Sequence, residues 1–154
     1  MRTDPSRPLM IRNAQPGEIR ILHRIDRICF AAALAYSLEE LRFYMEQPHS
    51  LTKVAERDGV PVGFAVGWSL PGGRAHIITL DVVPEARRLG AGTMLMDALH
   101  REFRRLGLAR ADLEVDAGNE GARLFYERLG YRRTRLLAGY YRDGRDAYRM
   151  TRKL

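Results

Sequence analysis

The feature that most restricts the fold of this 154-residue sequence is a strand–helix–strand passage between His76 and Val115. His76 to Val83 is rich in β-branched residues and reads as a strand. Gly90 to Leu106 then sets Leu95, Leu99, Phe103 and Leu106 on one helical face and stops at Gly107. Ala111 to Val115 is a second strand. Strands joined through a crossing helix lie parallel, whereas a tight turn makes them antiparallel. One parallel pair is therefore written into the chain.

Around that passage the period of the apolar residues changes several times. Met10 to Asn13 is a candidate edge strand, and Pro16 to Phe30 has helical spacing at Ile21, Leu22, Ile25 and Ile28. Ser37 followed by Glu40 forms a capping-box signature that opens a second helix, stopping before Pro48. Leu51 to Glu56 and Val60 to Trp68 flank the turn Arg57-Asp58-Gly59, and Pro71-Gly72-Gly73 leads into His76, which makes an antiparallel meander. Glu120 to Leu129 is a helix ended by Gly130, and Tyr131 to Tyr141 with Ala147 to Leu154 close the chain as strands around Asp143-Gly144. The expected fold is α/β: one mixed, mostly antiparallel sheet with helices on both faces. Residues 1–8 read as a loose tail and 9–154 as a single domain.

Composition narrows the partners. The formal net charge is +7, nearly all from arginine, which favours acidic partners such as nucleic acid, an anionic surface or a phosphorylated cofactor. Arg101, Arg104 and Arg105 fall on one helical turn without interleaved aromatics, the pattern of a solvated face, so no specific nucleic acid is expected. No apolar stretch reaches the length of a membrane span, and the N-terminus lacks the apolar run of a secretory signal. The lone Cys29 excludes an internal disulfide and fits a reducing cytoplasm, where a monomer or homodimer is expected. No Cys/His cluster has metal-ligand spacing, so no metal is expected.

The junction from Val82 through Arg87-Arg88-Leu89-Gly90-Ala91-Gly92-Thr93 joins a strand to a helix through two glycines. A helix start offers unpaired N–H groups and the positive end of its dipole to a phosphate, and glycines let the backbone come close to a ligand. The spacing is neither a Walker loop nor the three-glycine dinucleotide fingerprint. Tight helix–sheet packing explains the glycine pair equally well, and from spacing alone both readings stand.

The wider sequence resembles the GNAT acetyltransferase superfamily, most closely its RimI-type and archaeal protein N-terminal acetyltransferases. Arg87 to Gly92 matches the cofactor signature Arg/Gln-x-x-Gly-x-Gly/Ala, which follows a strand ending in Val-x-Pro. LEVDAGNEGARLFYERLGY is similar to a second family pattern at Glu114, Asn119, Ala122, Tyr126 and Gly130, and GYYRDGRDAYRM to the closing hairpin. The resemblance implies acetyl-CoA as cofactor, held where the two parallel strands splay. Leu80, Asp81 and Val82 would line the pantetheine arm, and Arg87, Arg88, Leu89, Gly90, Ala91, Gly92 and Thr93 would surround the pyrophosphate. The Val82 N–H would face the thioester oxygen, and Asn119 would bond the pantetheine or the loop beside it. Asp81 departs from the small or apolar residue common in the RimI type.

The chemistry needs an α-amine, with a pKa near 8, to shed a proton, and the departing thiolate to gain one. By resemblance Glu114 is the general base, acting through water, and Tyr126 is the general acid as well as a cofactor contact. From the residues alone, Glu114 is a strand glutamate beside many arginines, and Tyr126 an amphipathic core tyrosine beside Phe125. His76 stands where some family members place a catalytic tyrosine, with an edge histidine as the alternative. His23, His49 and His100 read as solvated, and Cys29, flanked by Ile28 and Phe30, as core rather than nucleophile.

On the acceptor side, Tyr140 and Tyr141 match a tyrosine pair that covers the substrate backbone, with Phe30 to Tyr36 as the opposite wall. Phe30-Ala31-Ala32 lacks the proline-aromatic element of the RimI pattern, which leaves the preferred first residue open. The leading expectation is a protein or peptide N-terminus, for example of a ribosomal protein. Alternatives are a small amine such as a polyamine or aminoglycoside, and an inactive basic module that binds RNA or the ribosome.

Overall fold

The fold follows the expected change of period. A computed structural model describes Asp4 and residues 6–154; Met1 to Thr3 and Pro5 of the expected tail lie outside the described residues. Seven strands form one sheet: β1 (Met10–Asn13), β2 (Ser50–Arg57), β3 (Val60–Leu70), β4 (Arg74–Val82), β5 (Arg110–Asp116), β6 (Arg132–Leu137) and β7 (Ala147–Lys153). Their order across the sheet is β1-β2-β3-β4-β5-β7-β6. Every pairing is antiparallel except β4 with β5, the pair that the crossing helix made parallel.

Helices cover the two faces unequally. On one face α1 (Ile19–Cys29) and α2 (Leu38–Glu46) pack over β2, β3 and β4 and bury Leu22, Ile25 and Leu41 against Val54, Phe64 and Val66. On the other, α4 (Ala91–Arg105) buries Leu95, Met96, Leu99 and Phe103 against Ala65, Ala75, Ile77 and Leu113. Phe125 and Tyr126 of α5 (Glu120–Arg128) join that second core. Ser37 caps α2 with the full reciprocal box to Glu40. Burial of these aliphatic side chains, each worth about 1.5–3 kcal/mol, is what ties the helices to the sheet.

Several details depart from the sequence reading. Pro84–Arg87 forms one short helix, α3, inside what read as a continuous turn. The strand expected from Tyr131 to Tyr141 ends at Leu137, because the chain turns at Gly139, whose φ is +63° and whose N–H donates to Asp146 Oδ1 at 2.8 Å. Leu106 sits outside the core at the end of α4, 46% exposed. His100 is not solvated: it is buried, with Nε2 2.7 Å from the Tyr131 hydroxyl. Burial, with the nearby charges of Arg152 and Arg104, pushes its pKa down to about 4. His23 and His49 are partly covered as well, the first against Tyr36 O at 2.9 Å and the second edge-on to Trp68.

Two irregularities in β4 shape everything near the site. Pairing with β5 stops after Arg74↔Arg110, Ala75↔Ala111 and His76↔Asp112, so the strands part beyond that point. On the β3 side, Val66 pairs with Thr79 and Gly67 with Ile77, which leaves Ile78 without a partner as a bulge. Residues directly opposite share a face. His76 opposes Trp68, whose indole N–H donates to Tyr44 O of α2, and Asp81 opposes Phe64 of the α1/α2 core. Thus His76 and Asp81, five residues apart, point to the same side, which strict alternation forbids.

Candidate active site

Where β4 and β5 separate, a cluster of charged side chains fills the α1/α2 side. His76 Nδ1 is hydrogen bonded to Asp112, and His76 Nε2 lies 3.0 Å from Glu114 Oε2. The other Glu114 oxygen accepts from Arg149 Nη2 at 3.0 Å and Nε at 3.3 Å. Both imidazole nitrogens thus face carboxylates, an arrangement satisfied only when each carries a proton. Burial by itself would lower the His76 pKa, but hydrogen bonds and charge from Asp112 and Glu114 outweigh it and raise it to about 9. Burial likewise pulls Glu114 upward, and His76 with Arg149 overcomes it, so Glu114 is held below the usual carboxylate range. Asp112 is lowered in the same way, burial being outweighed by its bond to His76 and the charges of His76, Arg74 and Arg149.

Aromatic side chains stand on either side of this cluster. Tyr36 donates its hydroxyl to Ile78 O at 3.4 Å and packs at a tilt against Tyr44, ring centroids 5.1 Å apart. Across from them, Tyr140 and Tyr141 lie in the loop between β6 and β7, edge to face at 5.1 Å. Burial, then the charges of Glu114 and Tyr44, raises the Tyr140 pKa. Arg142 of the same loop reaches Glu40 of α2 at 2.5 Å and joins the walls at their outer end. Phe30 is partly covered, while Ala31 to Ala33 are exposed.

The gap beyond His76 has donors on its β4 edge. Val83 N–H donates to Val62 O, so the preceding carbonyl, Val82 O, turns away from β3. There it accepts from Arg87 Nε at 2.9 Å and from the Cys29 thiol at 3.3 Å. A strand residue sends its N–H and C=O to the same side, so the Val82 N–H also faces away from β3. Leu80 and Val82 pack toward α4, whereas Asp81 points to α1 and is fully buried. Burial first, and then a hydrogen bond with Asp26, lifts the Asp81 pKa well above its ordinary value. Thr79 Oγ1 donates to Asp81, and Asp26 Oδ2 accepts the Tyr36 N–H at 2.7 Å. Asp81 therefore offers the gap only its backbone, and its side chain ties β4 to the wall that carries Tyr36.

At the far end of the gap, α4 starts without a capping side chain. Gly90 has φ +80°, and a Cβ there would meet nothing within 4 Å. The N–H groups of Ala91, Gly92 and Thr93 precede the first intrahelical bond, Met94 N–H to Gly90 O, and have no intrahelical partner; Ala91 is buried and Thr93 exposed. Arg88 and Leu89 are exposed beside them. Gly92 differs from Gly90: a Cβ on it would lie 3.2 Å from the Phe125 ring, so this glycine serves close packing of α4 on α5. The packing reading of the pair thus applies to Gly92, whereas at Gly90 the positive φ is what requires glycine. Amides without intrahelical partners, the exposed Arg87 and Arg88 and a gap between strands suit a cofactor with a diphosphate and a slender arm.

Asn119 caps α5, its Oδ1 accepting the Ala122 N–H at 3.1 Å, which leaves only its amide N–H groups for a ligand. Tyr126 lies on α5, partly covered, and burial followed by the charges of Asp81 and Tyr141 keeps its hydroxyl protonated far above neutral pH. Sequence reasoning missed Asp112 and Arg149. The signal for Asp112 was its position two residues before Glu114, which places it on the same face of β5. Arg149 is its counterpart across the strands, directly opposite Glu114.

Comparison with known proteins accords with this geometry. The model of the Acetyltransferase (GNAT) family matches residues 19–131. An uncharacterized N-acetyltransferase of Methanocaldococcus jannaschii is 38% identical over 148 residues, covering 94% of this chain and 92% of its own. The N-alpha-acetyltransferase of Saccharolobus solfataricus is 30% identical over 165 residues, covering 98% and 96%. Among solved structures, Ard1 from Thermoplasma volcanium superposes with a TM-score of 0.87 at 31% identity, covering 95% of this chain and 97% of that one.

Proposed function

The chain belongs to the acetyltransferase (GNAT) family and uses acetyl-CoA, and on that footing we propose that it acetylates the N-terminal α-amine of a protein or peptide. It would do so in the cytoplasm, as one domain spanning residues 9–154. Ribosomal proteins are among the acceptors this reading admits. The observation that carries it is the cleft itself: Glu114 lies between the aromatic walls of Tyr36 with Tyr44 and Tyr140 with Tyr141. The carboxylates there are all paired, Glu114 with His76 and Arg149, Asp112 with His76, Asp116 with Arg145 and Glu40 with Arg142, so the cleft has no run of free anions. One amine and a flat backbone suit that lining, whereas a polyamine has several cations to place. The N-alpha-acetyltransferase relative supports the same acceptor.

When bound, acetyl-CoA supplies an activated acetyl group. Amides at the start of α4, with Arg88, would hold its diphosphate, and Val82 N–H would be the donor facing the thioester oxygen. Glu114, fixed by His76 and Arg149, accepts a hydrogen bond from the entering amine, directly or through water, and takes the proton it sheds. His76 and Asp112 share that charge change along one hydrogen-bonded line. Tyr126, a neutral phenol, would supply the proton to the leaving sulfur. Phe30 to Tyr36 bounds the first acceptor residue.

Release of free thiol from acetyl-CoA, measured across a peptide library alongside polyamines and aminoglycosides, tests the proposal. Turnover with peptides varied at their first residues is the expected result. Turnover only with polyamines would reverse the acceptor, and none with any amine would favour the binding module.

A further inference from the structure

Beside the cleft, the sheet carries a bare cationic face with an unusual layout. Arg74 of β4 directly opposes Arg110 of β5, and Arg110 directly opposes Lys153 of β7. Arg132 of β6 opposes Thr151, one diagonal from Lys153. Opposed residues share a face, and this is the face of His76, Asp112 and Glu114, which lie on the same strands at even separations. Like charges directly opposite each other weaken a sheet, yet here three stand in a row. Arg74 comes within 4.0 Å of Asp112, while Arg110, Arg132 and Lys153 are exposed with no carboxylate within salt-bridge reach among the described residues. Since α1 and α2 pack over β2, β3 and β4, and α5 packs with α4 behind the sheet, no helix among the described residues packs over β5, β7 and β6 on this side.

The row is also continuous with the site. Arg110 stands four residues before Glu114 on β5, which is about 13 Å along the strand. The Arg142–Glu40 contact closes the opposite, outer end of the cleft. An acceptor chain with its amine at Glu114 therefore has its open path down this face, and an extended peptide covers that distance in about four residues.

We propose that Arg110, Arg132 and Lys153 form a secondary recognition surface for acidic side chains of the acceptor polypeptide, a few residues beyond the acetylated amine. This names a substrate class and rests on the protein N-terminal reading above. Neutralising the row recovers the like-charge repulsion of the free sheet, and the exposed pairs add modest, salt-sensitive affinity. The surface acts on capture of the acceptor and leaves the chemistry at Glu114 alone.

Three sets of peptides with identical first three residues test it, carrying acidic, neutral or basic residues at the next three positions. At about 50 mM salt, the acidic set is expected to show KM about fivefold lower than the neutral set with equal kcat, the gap closing near about 500 mM. The triple variant Arg110→Ser, Arg132→Ser, Lys153→Ser should erase the gap while keeping kcat on neutral peptides; circular dichroism checks its folding. Equal KM across the three sets, or a gap that survives the variant, overturns the proposal while the N-terminal reading stands. Fluorescence anisotropy with single-stranded RNA is the second arm: RNA binding lost in the variant, without any peptide preference, would assign the face to RNA and overturn it too. Failure of every peptide alongside turnover of polyamines would instead remove the reading beneath it.

Discussion

His76 and Asp112 are the last residues to pair in the parallel ladder between β4 and β5, and their side chains are hydrogen bonded at the point where the strands part. The fork between the strands and the charged cluster are thus one structural feature. Asp112 is linked to Glu114 through His76.

Glu114→Gln should lower kcat by about 100- to 1,000-fold, the usual worth of a positioned acid or base, and leave acetyl-CoA affinity within about twofold. Steady-state kinetics with calorimetry separates the two. A variant with normal kcat would take Glu114 out of the reaction.

Tyr126→Phe removes the hydroxyl and keeps the ring against Phe125 and Tyr131. Turnover should fall about 10- to 100-fold with peptide KM little changed. Unchanged turnover would leave Tyr126 as a packing residue only.

The His76 pairing makes stability depend on pH with a definite sign. Its folded pKa of about 9 lies above the ordinary 6.5, so its contribution is complete below about 6.5 and disappears as pH rises through 9. Asp112 and Glu114 are lowered, so theirs is present in neutral solution and disappears as pH falls below the usual carboxylate range. Asp112→Asn should bring the His76 titration, followed by NMR, down toward neutral and flatten the loss of Tm between about pH 7 and pH 10. If the variant's Tm tracked the wild type across that range, the charged bridge would have no part in stability.

Gly67 lies under α4, where an added Cβ would sit 2.5 Å from Phe103 Cζ. Phe103 is fully buried and cannot swing away, so Gly67→Ala should cost about 1–3 kcal/mol by overpacking. Urea unfolding measures it, and a loss under about 0.5 kcal/mol would mean the helix shifts freely over the sheet.

Cys29 should be inert and dispensable. Burial, with the charge of Asp81, raises its thiol to about 11, so little thiolate forms at neutral pH. Cys29→Ala is expected to keep full activity, and the native thiol to react with iodoacetamide far more slowly than free cysteine. Rapid labelling, or loss of activity in the variant, would contradict this.

Much of the architecture was readable from the chain because it rests on local period. The helical spacing before Phe30, the box at Ser37 and the crossing helix each declare themselves within a few residues. The four residues of α3 are too few for any period to show. His100 was misread although Met96 and Phe103, four before and three after it, mark the same buried stripe. Near the site, Glu114 and Tyr126 stood out by resemblance, but Asp112 and Arg149 acquire meaning only from cross-strand neighbours that no local pattern names. The bulge at Ile78 is of that kind as well, since neither glycine nor proline marks it and it exists only in the register with β3.

That unpaired isoleucine makes β4 answer differently to a lost and to an added residue. Deleting it would leave His76 and Asp81 four apart on a regular ladder with β3, opposite Trp68 and Phe64 as before, so the imidazole and the buried carboxyl would keep one layer. Insertions elsewhere on the surface cost loop entropy and little more. Here one added residue, with the single bulge retained, would set the imidazole and the carboxyl on opposite layers.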